Sequence, residues 1–131
     1  LEDRTKWWRR ELRHAPEDAL VAEHEGLVVG FARVAKCRDH DHGLLHRFGE
    51  VQAIYLVESV WGIGLGRDLM RAAEERLTAR GLGPLCVWVL ARNERARRFY
   101  TAAGWSADGV EKTETMPWAT LHEVRYVKDV S

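Results

Sequence analysis

Cysteine is scarce in this chain, and the scarcity excludes a class of fold. Its two cysteines, Cys37 and Cys86, form no C-x-x-C pair and cannot build a disulfide framework, so a reducing, cytoplasmic setting is expected. No apolar run reaches the ~18 residues of a membrane-spanning helix, and no signal-peptide pattern opens the chain. Net charge is missing as well. Twenty basic and twenty acidic residues cancel, which leaves no global field directed at nucleic acid or an anionic membrane. Internal repeats, low-complexity tracts and linkers are also absent. Partners must therefore come from local chemistry.

What is present is one domain of chain: 131 residues suffice to bury a core without staples, so residues 1–131 read as a single domain. Trp7, Trp8 and Leu12 fall at helical spacing among charged residues. Residues 19–25 alternate toward a turn at Glu25-Gly26, and 27–35 resumes as an apolar run, the pattern of a β-hairpin. The polar segment 38–47 should be a surface connection before a strand over 50–57. Leu65, Leu69, Ala72, Ala73 and Leu77 fall on one side of a helix over 64–80, with Gly81 just past its end. Leu85–Leu90 is a continuous apolar run, the mark of a strand buried on both faces. Asn93 can cap the next helix and Gly104 can stop it. Two further strands, 105–110 and 121–127, flank a loop containing Pro117. Strand, helix, buried strand and helix in succession imply a parallel pair at the centre of a mixed α/β sheet, with antiparallel hairpins on either side.

The most informative stretch joins the strand over 50–57 to the helix that follows it. Gly62, Gly64 and Gly66 remove side chains where backbone N–H groups can close around a phosphate, and the helix adds the positive end of its dipole. The spacing is G-x-G-x-G. It matches neither the dinucleotide G-x-G-x-x-G nor the Walker G-x-x-x-x-G-K-[ST]. A second signature lies downstream, Asn93-Glu94-Arg95-Ala96-Arg97-Arg98-Phe99-Tyr100-Thr101-Ala102-Ala103-Gly104-Trp105, which fits N-x-x-A-x-x-[FL]-Y-x-x-x-G-[FW] at each fixed position.

With both motifs in this order, the chain resembles the GNAT superfamily of acyl-CoA-dependent N-acetyltransferases. The resemblance implies a GNAT-like mixed sheet whose two central parallel strands splay apart, flanked by helices, with the first βα unit of the family lacking. It implies acetyl-CoA as the acyl-donor cosubstrate, with no metal, and an amine acceptor of unidentified class. By register, cofactor contacts fall on Ile54, Tyr55, Leu56, Gly62, Ile63, Gly64, Leu65, Gly66, Arg67, Asn93 and Tyr100. Ile54 N–H is the candidate oxyanion donor and Leu56 the candidate for the pantetheine amide.

Chemically, acetyl transfer to an amine needs a neutral amine, a stabilised oxyanion and a proton for the leaving thiolate. A lysine-type amine, with a pKa of ~10.4, is mostly charged at neutral pH and needs a base. Glu50 is the candidate base, acting through water from eleven positions before Trp61, against the simpler reading of a strand-edge carboxylate. Tyr100 is the candidate acid, its alternative being a core aromatic of an amphipathic helix. One position departs from the family pattern [QR]-x-x-G-x-[GA]: Trp61 stands where a polar or basic residue is expected. Arg67 is a candidate replacement for the missing charge, and Trp61 itself reads as packing. The cluster Arg92, Arg95, Arg97 and Arg98 reads as a solvated helix face, one member of which can meet the 3′-phosphate of CoA.

His40, His42 and His46 with Asp39 and Asp41 lack the rigid ligand pairs of a zinc site and read as a solvated loop beside the acceptor. The acceptor wall is expected from Trp7, Trp8 and the segment 111–120 with Trp118, and the late strands are candidates for a homodimer contact. Two functional classes follow. One is a transferase working by direct attack in a ternary complex. The other is a non-catalytic acyl-CoA-binding sensor or degenerate module.

Overall fold

The computed structural model of the protein describes residues 8–9, 19–37 and 48–129. Strand β1 (Trp8–Arg9) pairs antiparallel with β2 (Ala19–His24), which joins β3 (Leu27–Lys36) through a two-residue turn at Glu25 and Gly26. Both turn residues take positive φ, the geometry whose twist suits a tight hairpin. After β4 (Gly49–Leu56) the chain makes a 3₁₀ turn at Glu58–Val60 and enters helix α1 (Leu65–Ala79). Strand β5 (Leu85–Leu90), helix α2 (Glu94–Ala102) and the long hairpin of β6 (Ser106–Met116) and β7 (Ala119–Lys128) complete the order. Among the described residues the sheet has seven strands in the order β1-β2-β3-β4-β5-β7-β6, and only β4 and β5 run parallel.

Helices α1 and α2 cover the same face. Leu65, Leu69, Met70, Ala73 and Leu77 form the buried stripe of α1. They share one core with Val51, Val87, Val89, Tyr100, Trp105 and Tyr126. That stripe is the one expected from helical spacing, with Met70 added and Ala72 at its half-buried margin. Polar contacts tie the layers. Glu74 of α1 accepts from the Trp105 indole N–H at 3.0 Å and from Lys128 Nζ at 3.0 Å, and Lys128 also donates to the Ala103 carbonyl at the end of α2. No helix among the described residues is long and apolar enough to cross a membrane.

Two expectations from the sequence are corrected. The spacing of Trp8 from Trp7 and Leu12 predicts a helix, yet Trp8–Arg9 is a strand on the edge of β2. Sheet pairing there overrides a short-range period. The segment 111–120 is not a loop: β6 runs on to Met116 and β7 starts at Ala119, leaving a turn at Pro117 and Trp118. Polar residues in that segment pair across the hairpin, as with Thr113 opposite His122 and Thr115 opposite Thr120. Trp7, Leu12 and the histidine segment 38–47 lie outside the described residues.

Candidate active site

The site begins where the parallel pair stops pairing. Strands β4 and β5 share two register pairs, Gly49 with Leu85 and Glu50 with Cys86, and then diverge. A bulge interrupts β4 beyond Val51, because Val34 faces Val51 while Arg33 faces Ala53, and Gln52 is the extra residue. A bulge bends its strand and sharpens the local twist, which carries the end of β4 away from β5. On the other side of β4 the ladder with β3 continues to Leu56, and Val57 N–H donates to the Val29 carbonyl at 2.8 Å. Since alternate residues of an antiparallel strand address the same neighbour, Tyr55 N–H faces β3 whereas the N–H groups of Ile54 and Leu56 face the gap. Ile54 and Leu56 thus turn backbone donors toward the gap. Tyr55 does not. Its half-exposed ring stacks at a tilt on Phe31, 6.2 Å away, on the face of the sheet away from the helices.

Beyond β4 the chain forms the glycine loop. Gly62 and Gly64 have φ of 88° and 92°, a region costly for any residue with a Cβ, and Gly64 is the N-cap of α1. The first intrahelical bond runs from Asp68 N–H to the Gly64 carbonyl at 3.1 Å. Helix geometry therefore leaves the N–H groups of Leu65, Gly66 and Arg67 without an intrahelical acceptor, beside Gly62 and Ile63 and at the positive end of the dipole. Gly66 also permits a close approach of the second motif: a Cβ there would lie 3.3 Å from the Phe99 ring and 3.8 Å from a Leu56 methyl. The two sequence motifs are thus in contact through Phe99.

Glu50 and Tyr100 lie on opposite faces of the sheet. Val51 belongs to the helix-covered core, so its neighbour Glu50 points to the other face, where it is only 2% exposed. Cys86, the register partner of Glu50, lies on that face too, and its Sγ is 3.6 Å from Cys37 Sγ. Trp88 follows at the next alternate position of β5, half-buried, with Lys112 Nζ 4.3 Å from its ring centroid. Tyr100 stands within the core on the helix side, in ring contact with Phe99, Trp105 and Tyr126. Burial pushes its hydroxyl up to about 12, so the phenol keeps its proton throughout the physiological range. Asn93 caps α2, its side-chain oxygen accepting from Ala96 N–H at 3.0 Å.

The arginine cluster of α2 resolves into separate roles. Arg97, half-exposed, donates to the Ala91 carbonyl at 2.7 Å and to the Tyr126 hydroxyl at 3.0 Å, so it is fixed and not merely solvated. Arg98 pairs loosely with Glu94 at 3.7 Å across one helical turn. Arg95 lies over the Trp61 ring, its guanidinium carbon 3.9 Å from the centroid, and the Trp61 indole N–H donates to the Leu56 carbonyl at 2.8 Å. Trp61 is thus more than packing. Arg67 is exposed on the first turn of α1. Trp118, expected in an acceptor wall, is 77% exposed at the tip of the β6–β7 turn. The sequence reading missed Trp88 and singled out no member of the arginine cluster. Alternation along β5 could have found Trp88, whereas the Arg95–Trp61 contact joins residues that only the fold makes neighbours.

Residues 1–105 match the family model described as the acetyltransferase (GNAT) family. This chain belongs to that family. An uncharacterised N-acetyltransferase of Mycobacterium tuberculosis is 34% identical over 110 residues, 82% of this chain and 63% of the relative. A mycothiol acetyltransferase of Frankia casuarinae is 33% identical over 95 residues, 69% of this chain and 27% of that protein. The chain thus spans less than two thirds of these GNAT relatives. In fold it resembles a ribosomal-protein-alanine N-acetyltransferase from Brucella melitensis, with a TM-score of 0.74, 24% identity, and coverage of 98% of this chain and 78% of that one. It also resembles a Bacillus anthracis acetyltransferase solved with acetyl coenzyme A, with a TM-score of 0.70, 13% identity, and coverage of 86% and 62%. The GNAT arrangement of splayed parallel strands is therefore the architecture of this chain.

Proposed function

We propose that residues 1–131 act as one GNAT-type transferase domain that passes an acetyl group from acetyl-CoA to an amine by direct attack in a ternary complex. The observation that carries this reading is the gap between β4 and β5, with a buried carboxylate on one face and a buried phenol on the other. The N–H groups around Gly62–Arg67 suit the diphosphate, and Leu56 and Ile54 offer donors along the gap for the pantetheine arm and the thioester oxygen.

An amine arriving on the Glu50 face loses a proton through water to that carboxylate, and its lone pair attacks the thioester carbon. Negative charge develops on the carbonyl oxygen beside Ile54 N–H. As the C–S bond breaks, the electron pair leaves on sulfur, and the Tyr100 hydroxyl donates to it from the helix side. A phenol at about 12 is a weaker acid than a thiol near 8.5, so donation of a hydrogen bond to the developing thiolate is the main contribution of Tyr100. The proton that completes the free thiol is then the one released by the amine.

Release of free thiol from acetyl-CoA in the presence of an amine panel tests this reading. We expect Glu50→Gln and Tyr100→Phe each to lower turnover by about 10²- to 10⁴-fold while acetyl-CoA affinity stays within a few-fold of wild type. Binding without thiol release in the wild-type protein would favour the second class, a non-catalytic acyl-CoA-binding module.

A further inference from the structure

Trp61 occupies the position just before the first glycine of the loop, where the resemblance expects a polar or basic side chain. The structure shows what that tryptophan does. Its indole N–H is fixed to the Leu56 carbonyl, which orients the ring at the end of β4, and the Arg95 guanidinium stacks on that ring at 3.9 Å. Leu56 also touches the position where a Gly66 Cβ would stand, so strand end, loop and α2 meet at this spot. Arg95 comes from the first turn of α2, a different element from the loop it serves. Among the described residues its partner is an aromatic face and not a carboxylate: Glu94 faces Arg98, and Asp68 faces Arg71. An arginine held by stacking keeps its in-plane donors for another acceptor, and its planar fork suits phosphate oxygens, which a lysine ammonium would not match.

Resting on the proposed use of acetyl-CoA, the geometry points to Arg95, propped on Trp61, as the cation that this chain supplies to a phosphate group of the coenzyme. Trp61 is a positioning residue in this arrangement. It supplies no charge and stands in for the missing polar side chain by holding a charge from α2 beside the glycine loop. Because the guanidinium is ordered before the ligand arrives, less side-chain freedom is lost on binding. The phosphate it meets is either in the diphosphate or at the 3′ position, and the chemistry of recognition is the same.

Calorimetric binding of acetyl-CoA to wild type, Arg95→Ala, Trp61→Ala and the double variant tests the inference, with KM and kcat measured alongside. Arg95→Ala should raise Kd by about 10- to 100-fold and flatten its salt dependence. KM should rise with kcat little changed, and the unliganded melting temperature should stay the same because the side chain is exposed. Trp61→Ala should weaken binding through the same contact, so the double variant should be little worse than Arg95→Ala. Restoring a cation on the loop, as Trp61→Arg in the Arg95→Ala background, should recover part of the affinity. If acetyl-3′-dephospho-CoA abolishes the Arg95→Ala penalty, the 3′-phosphate is the partner. If the penalty persists with that probe and disappears with S-acetylpantetheine, the diphosphate is. Equal affinity and equal salt dependence of wild type and Arg95→Ala would overturn the inference while leaving the proposed function intact. Folded wild-type protein that binds no acetyl-CoA would overturn both.

Discussion

Tyr100 shows how one buried group can link chemistry to stability. Its hydroxyl is raised to about 12 by desolvation, against about 10 in an unfolded chain. Between those values the folded protein holds the proton that the unfolded chain has lost. The stabilisation is therefore complete below about pH 10 and is lost as pH rises toward about 12, by up to about 3 kcal/mol. Denaturant unfolding between pH 9 and 12 should show a shallower alkaline loss for Tyr100→Phe than for wild type. Parallel curves would mean that the phenol titrates normally and is not desolvated. In the proposed mechanism so weak an acid would contribute no alkaline limb to activity below about pH 10. Glu50 is buried on the other face of the sheet: its neighbour Val51 belongs to the helix-covered core that holds Tyr100, so Glu50 points away from the phenol.

At the scale of elements, the short helix α2 does three things. It buries Tyr100, ties Arg97 to the Tyr126 hydroxyl of β7 and holds Arg95 over Trp61, all within Glu94–Ala102. A nine-residue helix is marginal on its own, so its cap matters. Asn93→Ala should lose about 1 kcal/mol in chemical denaturation, because Ala96 N–H loses its acceptor. Asn93→Asp keeps a capping oxygen and should recover most of that loss, yet bind acetyl-CoA more weakly if the amide also meets the pantetheine arm. Full affinity in Asn93→Asp would assign Asn93 to the cap alone. Helix α2 was legible from the sequence because its cap, its stripe and its stop all agree. The β6–β7 hairpin is longer than the sequence predicts because polar residues at 111–116 satisfy a strand here by cross-strand pairing, a term no local pattern contains.

For the whole molecule, the divergence of β4 and β5 leaves backbone donors along a gap in an otherwise continuous sheet. A ligand filling that gap should act as a missing strand partner. Acetyl-CoA at 100 times its Kd should add about 2.7 kcal/mol of stability, a rise in melting temperature on the order of 10 °C for a domain of this size. An unchanged melting temperature in saturating acetyl-CoA would mean that the gap and the glycine loop hold no coenzyme. The two thiols on the Glu50 face, Cys37 and Cys86, lie too far apart in sequence to suggest each other, and β4 brings them to 3.6 Å.

By itself the sequence determined the family, the central strand–helix–strand–helix unit and the glycine loop. These depend on short-range periodicity, helix caps and positions that tolerate positive φ, all written within a few residues of where they act. Which residues of β4 turn their N–H groups toward the gap, Ile54 and Leu56 but not Tyr55, followed only from the ladder with β3. Only the tertiary structure decided the rest: that Glu50 and Tyr100 stand on opposite faces, that Trp8–Arg9 pairs with a strand, and that Arg95 leaves its helical cluster for Trp61. Each of these is a contact between residues far apart in the chain. Such contacts are set by which faces pack together and where a ladder ends, and no local pattern of residues encodes them.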